Sequence, residues 1–146
     1  MAESNKPAEL PLLKERLDTA VNILGEVADA DICIATEKQH DSGELIVRAS
    51  RDTPDNPFSI GDSIPTTEDL FCHRAANSRQ FLHIDESSEN DPSHYLGLPI
   101  FDSEQNIFGV LCVKGASLPA RYDETKNTLE KFVSLIEGDL QLEATD

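Results

Sequence analysis

Two strongly apolar segments in the second half of the chain, HYLGLPIF and NIFGVLCVK, place the tightest limit on the fold. Consecutive residues in both segments are apolar, which is typical of strands that are buried on both faces. The four residues between them, DSEQ, are polar and favour a turn, so the two strands are predicted to form an antiparallel hairpin. A sheet that contains this hairpin needs helices on both of its faces.

Two amphipathic segments near the ends of the chain are predicted helices. Apolar residues recur every three or four positions from Leu12 to Ala28 and again from Asp123 to Leu142. Pro11 stands where a helix can begin, because the N–H that it lacks would have no partner there. The apolar stripe of the first helix consists of Leu13, Leu17, Ala20, Val21, Leu24 and Val27. The stripe of the last helix consists of Leu129, Phe132, Val133, Ile136 and Leu140.

The segments between the terminal helices are shorter, and most of them are strands. Period-two alternation and the turn residues near Gly43 predict an early hairpin, and Thr66 or Thr67 caps a helix through about Asn77. The order of elements argues against a doubly wound parallel sheet. It predicts an α+β fold with a central antiparallel sheet of five to six strands and helices on both faces. The predicted strands are Asp31–Thr36, Glu44–Ser50, a short extended piece in Phe58–Pro65, and Phe81–Asp85.

The length and charge of the chain limit its organisation and its partners. The 146 residues fit one domain, expected over 11–142, with a mobile lead-in at 1–10 and a tail at 143–146. Twenty-eight acidic residues against 12 basic ones give a formal charge of −16. Phosphate backbones and anionic membranes would repel such a chain, so neither nucleic acid nor a membrane is an expected partner.

The sequence favours a cytoplasmic location. The N-terminal residues lack the basic and apolar regions of a signal peptide. The longest apolar run, Ile107 to Val113, is far shorter than the roughly 20 residues that span a bilayer. The three cysteines, Cys33, Cys72 and Cys112, form no CxxC pair, which fits reduced thiols better than a disulfide framework or a zinc site.

From Phe71 to Val113 the sequence resembles a GAF domain, a small sensory fold. The features that carry the resemblance are, in order, a helix with Cys-His, a strand that ends at Asp85, a loop with Asp91-Pro92, the segment YLGLPI, and the strand FGVLCV. The stretch from Pro119 to Ile136 resembles the closing segment of the family. The resemblance implies a three-layer fold, a small-molecule pocket between the sheet and residues 62–95, and subunits that pair through the terminal helices.

Five residues are candidates for the lining of that pocket: Phe71, Cys72, Asp85, Tyr95 and Gly97. The Tyr95 ring beside Gly97 could cap a cavity and offer its hydroxyl as one polar group. Glycine inside a strand marks a bulge or a close approach, and Pro99 belongs at an edge or a bulge because it lacks an N–H. The sequence identifies no cofactor.

Cys72 and His73 suggest two kinds of chemistry. Some GAF relatives attach linear tetrapyrroles through a cysteine followed by a histidine, but the surrounding pattern is absent here. The free methionine sulfoxide reductases of the same fold use a reactive thiol. Neighbouring side chains on a helix point about 100° apart, so adjacency alone does not bring sulfur to imidazole. Cys33 and Cys112 lie in apolar strands, where cysteine behaves as a small hydrophobe.

The sequence gives less support to a cyclic-nucleotide ligand or to a bound metal ion. Lys114 matches the lysine of the family's cyclic-nucleotide signature, but Val113, Tyr122, Lys126 and Asn127 depart from it. Asp85, Asp91 and His94, with Asp102 or His83, match no metal-ligand spacing, so acidic residues in a solvated loop are the better interpretation and no metal is expected.

The sequence therefore predicts a non-catalytic GAF-type sensory domain that forms a homodimer and binds a small molecule, and that either signals to a separate protein or is part of a longer sensor. Two alternatives stay open. One is a small thiol redox enzyme that uses Cys72. The other is a ligand-free interaction module whose cavity is filled by Phe71, Leu82, Tyr95 and Phe108.

Overall fold

The computed structural model describes residues 11–64, 71–87 and 92–144; the side chains described are those of 13–64, 73–84 and 94–142. In these described residues there are three α-helices, six strands and a short 3-10 helix at Pro119–Arg121. The helices are α1 (Pro11–Ala28), α2 (Phe71–Ser78) and α3 (Tyr122–Ala144). The strands are β1 (Ile32–Lys38), β2 (Leu45–Ser50), β3 (Ser63–Ile64), β4 (Leu82–Ser87), β5 (Pro92–Phe101) and β6 (Ile107–Lys114).

The six strands form one antiparallel sheet in the order β3-β2-β1-β6-β5-β4. The apolar strand β6 lies between β1 and β5 in the middle of the sheet, and both of its faces are buried because separate apolar cores pack on the two sides of the sheet. The early hairpin β1–β2 and the late hairpin β5–β6 pair as the sequence predicted. The α+β fold with a six-stranded antiparallel sheet is thereby confirmed.

Helices α1 and α3 cover one face of the sheet and contact each other. Their predicted apolar stripes form most of this core, with Val27 and Phe132 only half-buried. Arg16 Nε donates to Asp139 Oδ2 at 3.0 Å, which joins the two helices. The Arg121 side chain donates to the carbonyl of Val27 at 3.2 Å, at the end of α1. Polar bonds therefore join α1 to α3 and to the turn that precedes α3, in addition to the apolar packing.

Of the three described α-helices, α2 is the one that lies on the opposite face, where it covers part of the sheet. The sequence predicted a helix that begins at Thr66 or Thr67; these residues lie outside the described part of the chain, and the described helix begins at Phe71. The expected extended piece in Phe58–Pro65 is reduced to the two residues of β3. Side-chain bonds hold the loop before it: Asn56 Oδ1 accepts from Phe58 N–H, and Asp62 Oδ2 accepts from Ser59 N–H. Such local bonds compete with a strand ladder.

Pro99 lies in β5, where the sequence required an edge or a bulge. The pairing of β5 with β4 ends at Gly97, so beyond that residue β5 has β6 as its neighbour on one side and no strand on the other in the described chain. A proline is tolerated there because it removes no bond to a second neighbour.

Candidate functional site

The face of the sheet beneath α2 is an apolar surface and coincides with the predicted pocket region. Helix α2 adds only small side chains to this core, Ala75 and Ala76, together with the buried ring of His73. Half-buried Leu82 and Ile84 border it on β4. The strands contribute Ile34, Leu45, Val47, Ile64, Tyr95, Ile107, Val110 and Cys112.

The Tyr95 ring lies over Gly97, two residues along the same face of β5. A Cβ at Gly97 would stand 2.4 Å from the Tyr95 hydroxyl oxygen and 2.7 Å from the nearer ring carbon. Contacts this short do not occur between real atoms, so the ring can take this position only because residue 97 is glycine. The predicted pairing of these residues is found, and it places a buried phenol against the strand backbone.

His73 has a structural partner. Its Nε2 lies 2.9 Å from the carbonyl oxygen of Ile64 and therefore donates to it, which joins α2 to β3. The ring is 8% exposed. A nitrogen that already donates a hydrogen bond cannot accept a proton, so Nε2 of His73 is not available to deprotonate a thiol.

The two cysteines with described side chains lie on opposite faces of the sheet. Cys33 packs in the core beneath α1 and α3, and Cys112 packs beneath α2 with its sulfur 3.8 Å from the carbonyl oxygen of Ile34. Burial raises the pKa of the Cys33 thiol far above its usual range, and the nearby Arg51 guanidinium and the Gly25 backbone offset only part of that rise. Since the thiolate is the nucleophilic form, Cys33 is an inert core residue.

The five predicted site residues have different outcomes. Tyr95 and Gly97 lie together in the core beneath α2. The side chains of Phe71, Cys72 and Asp85 lie outside the described residues, although their backbones begin α2 and form part of β4.

Phe108, which the filled-cavity alternative placed in the pocket, packs against the opposite core beneath α1 and α3. A β-bulge explains this correction: Gly109 pairs with Ile100 and Ile107 pairs with Phe101, so Phe108 is an extra residue in β6 and does not continue the alternation of Val110 and Cys112, which face α2. Phe108 is therefore not available to fill a cavity on the α2 side.

The sequence analysis did not identify a connection that runs from α2 to α3 through the end of β5. The Arg79 guanidinium, just after α2, lies 5.0 Å from the centre of the Phe101 ring. The backbone N–H of Phe101 donates to Glu137 Oε2 of α3 at 2.9 Å. Nothing in the local sequence pairs these three residues, which are far apart in the chain.

The described chain meets neither the requirements of a metal site nor those of a membrane-spanning helix. Within 11–64, 71–87 and 92–144, no three histidine, cysteine or acidic side chains are arranged to hold a metal ion. The described helices include none that is both long and apolar enough to cross a bilayer.

The fold and the apolar face beneath α2 define the class of this protein. Residues 12–139 match the family model for the GAF domain, and the chain belongs to this family, whose members are typically sensory or regulatory. Among curated proteins, none matches the chain.

Solved structures with the same fold have diverse functions. The chain is similar to the GAF domain of Acinetobacter phosphoenolpyruvate-protein phosphotransferase, with 19% identity, a TM-score of 0.67, and coverage of 88% of this chain and 81% of the other. It is also similar to the blue-light absorbing form of the Thermosynechococcus elongatus PixJ GAF domain, with 18% identity, a TM-score of 0.68, and coverage of 97% of this chain and 95% of the other.

A third similar structure is an enzyme, the type II free methionine-R-sulfoxide reductase from Thermoplasma acidophilum. It shows 14% identity and a TM-score of 0.68, and the alignment covers 92% of this chain and 95% of the other. At these identities the likeness concerns the fold, and one fold carries both a light-absorbing domain and an enzyme.

Proposed function

We propose that this protein is a non-catalytic sensory GAF domain that binds a small molecule on the α2 side of its sheet. Binding there changes the position of α3, and two copies pair through α1 and α3. The proposal rests on two observations: the membership of the chain in the GAF family, and the contacts around Tyr95, Arg79 and Phe101.

The asymmetry of the two sheet faces carries the ligand part of the proposal. In the described residues, two helices of 18 and 23 residues cover one face, whereas the helix on the other face, α2, has 8 residues and contributes alanines to the core. Gly97 makes room for the Tyr95 ring on the α2 face. Small-molecule sites are typically apolar concavities with a few polar groups, and the Tyr95 hydroxyl is such a group here.

The route from ligand to helix rests on Phe101. Its ring lies under Arg79, at the end of the helix that would contact a ligand, and its backbone N–H is bonded to Glu137 of α3. Arg79 also donates to the carbonyl of Gln105 at 2.8 Å, in the turn that follows β5. A shift of α2 would therefore change contacts at the end of β5 and, through Phe101, at α3.

The pairing surface is the side of the two long helices that faces away from the sheet. Ile23 on α1 is 45% exposed and Leu135 on α3 is 46% exposed. A groove of about 540 Å³ runs beside Leu135, between Asn127, Glu130, Lys131 and Ser134. Apolar side chains exposed on two adjoining helices suit a symmetric contact with a second copy.

A thermal-unfolding screen tests the ligand part of the proposal. The panel consists of cyclic nucleotides, linear tetrapyrroles, amino acids and small aromatic compounds. A compound present at 100 times its Kd adds about 2.7 kcal/mol, which raises the Tm by roughly 5–10 °C for a chain of this size.

Two matched variants locate the binding of a compound that raises the Tm. Tyr95→Phe removes the hydroxyl on the α2 side, and Tyr122→Phe makes the same change where the ring packs against the opposite core. We expect the shift to fall in Tyr95→Phe and to persist in Tyr122→Phe. Equal shifts in both variants would contradict binding at Tyr95.

The alternatives predict different results. Reduction of free methionine sulfoxide that is lost in Cys72→Ser would identify a thiol enzyme and overturn the non-catalytic proposal. A panel that produces no shift would favour the ligand-free interaction module.

A further inference from the structure

We propose a second ligand site, on the opposite face of the sheet from Tyr95, which binds a small aliphatic carboxylate. It is a cavity of about 220 Å³ where the first turns of α1 meet the ends of β1 and β2. Its lining consists of Leu13, Lys14, Leu17, Glu37, Arg48 and Ile60. This site is independent of the function proposed above.

A β-bulge builds the polar end of this cavity. Ala35 pairs with Ala49 and the next residue, Thr36, pairs with Val47, so Arg48 is an extra residue in β2. Bulges change the side on which the following residues lie, and here Arg48 and the next residue, Ala49, both face the α1 side, where Arg48 meets Glu37. Arg48 Nε donates to Glu37 Oε1 at 2.9 Å. The ion pair fixes the direction of the guanidinium.

The terminal nitrogens of Arg48 carry the argument for a carboxylate. Only Nε is bonded to Glu37, and within the described chain the terminal nitrogens of Arg48 donate to no other group. A guanidinium presents parallel N–H groups that match the two oxygens of a carboxylate. Lys14 adds a second positive charge, and its 3.8 Å contact with Asp18 is an exposed pair of the kind that contributes little. The cavity therefore has one more positive charge than negative in a chain of charge −16.

The other lining residues specify an aliphatic group. Leu13 and Leu17 are buried, and Ile60 is 56% exposed, so a ligand would remove the Ile60 side chain from water. At about 30 Å³ per water molecule, the cavity has room for roughly seven waters, and hence for on the order of seven non-hydrogen atoms. A branched five-carbon carboxylate has the required size, charge and shape.

The test is a titration of the whole ¹⁵N-labelled protein with 3-methylbutanoate, followed by amide NMR shifts. We expect saturable shifts at Leu13–Leu17, Glu37, Arg48 and Ile60. The neutral isostere 3-methylbutanamide should bind about tenfold more weakly or not at all, since it lacks the charge that Arg48 recognises. Valine has the same branched chain and carboxylate with an added ammonium, which Glu37 could bind. Tighter binding of valine than of 3-methylbutanoate would assign the site to amino acids. Weaker binding of valine would assign it to simple carboxylates.

Three variants complete the test. Arg48→Gln and Ile60→Ser change opposite ends of the cavity, and each should weaken 3-methylbutanoate binding about tenfold. Lys126→Gln removes one positive charge on α3, where the Lys126 ammonium lies 5.0 Å from the centre of the Phe81 ring and away from the cavity, and should leave the affinity unchanged. Unchanged amide spectra away from the substitutions show that each variant is folded. Absence of saturable shifts, equal binding of the amide, or shifts on the α2 side instead would each overturn the proposal.

Discussion

Tyr95 and Gly97 depend on each other. The phenol of Tyr95 lies in the space that a Cβ at position 97 would need, with its oxygen 2.4 Å from that Cβ position. The glycine is therefore required by a side chain on its own strand and not by an unusual backbone angle. This is a constraint of packing, and a packing constraint can be tested by changing both partners.

Gly97→Ala should lower the free energy of unfolding by about 1–3 kcal/mol, because the added methyl group overpacks a buried site. In a Tyr95→Leu background the same substitution should cost much less, since the smaller side chain leaves the space above residue 97. Urea unfolding of the four proteins of this double-mutant cycle measures the coupling. Equal costs in the two backgrounds would mean that the ring does not lie against Gly97.

Cys33 predicts how stability depends on alkaline pH. Burial raises the pKa of its thiol, so the folded protein keeps a proton that the unfolded chain loses above about pH 8.5. The stabilisation is therefore fully present below that pH and falls as the pH rises, by as much as about 1.4 kcal/mol per pH unit.

Urea unfolding between pH 7.5 and 10 measures this decline, with Cys33→Ala as the control that removes the titrating group. The decline should be steeper in the parent protein than in Cys33→Ala, whose other titrating groups are the same. Parallel pH profiles would contradict a buried neutral thiol.

At the level of elements, the end of β5 joins the two helical layers. The Phe101 N–H is bonded to Glu137 of α3, and the Phe101 ring lies under Arg79 after α2. A hydrogen bond to a charged acceptor contributes about 1.5–3 kcal/mol. This bond is therefore strong enough to make the position of α3 sensitive to the end of β5.

Glu137→Met should destabilise the protein by about 1–3 kcal/mol, because it leaves the Phe101 N–H without its acceptor. Glu137→Gln has the same length and keeps an acceptor oxygen, so it should lose less. Urea unfolding gives the stabilities, and hydrogen exchange at the Phe101 amide reports the bond itself. Slow exchange of this amide in Glu137→Met would show that another group protects it.

The helices and strands also show which parts of the fold can be predicted from local sequence patterns and which cannot. The stripes of α1 and α3 and the apolar strands β5 and β6 were predictable because burial imposes its period directly on the residues. β3 was overestimated because the bonds of Asn56 and Asp62 hold the preceding loop in an irregular form. In the site, adjacency in one strand made Tyr95 and Gly97 predictable, whereas Arg79, Phe101 and Glu137 are brought together only by the fold.

At the scale of the whole molecule, charge and exposed apolar groups act in opposite directions. Each copy carries a formal charge of −16, so two copies repel each other at low ionic strength. The exposed Ile23 and Leu135 favour association through α1 and α3. Dimerisation through these helices should therefore strengthen as salt screens the repulsion.

Ile23→Glu should convert the proposed dimer to a monomer, because it places a charge in the proposed apolar contact. Ile60→Glu makes the same change at a residue that is 56% exposed on a different part of the surface, and it should leave the dimer intact. Light scattering after size-exclusion chromatography, at low and at moderate salt, measures both. A dimer that survives Ile23→Glu, or one that weakens with added salt, would contradict this arrangement.

The sequence by itself determined the elements whose burial is periodic, the antiparallel hairpins, and the family to which the chain belongs. These features depend on interactions among near neighbours in the chain, and each leaves a local pattern. The tertiary structure decided which face each residue occupies: Phe108 opposite to α2, Cys33 and Cys112 on separate faces, and Arg48 beside Glu37 through a bulge. These outcomes depend on strand register and on contacts between distant segments, and a shift of one residue in register moves a side chain to the other face.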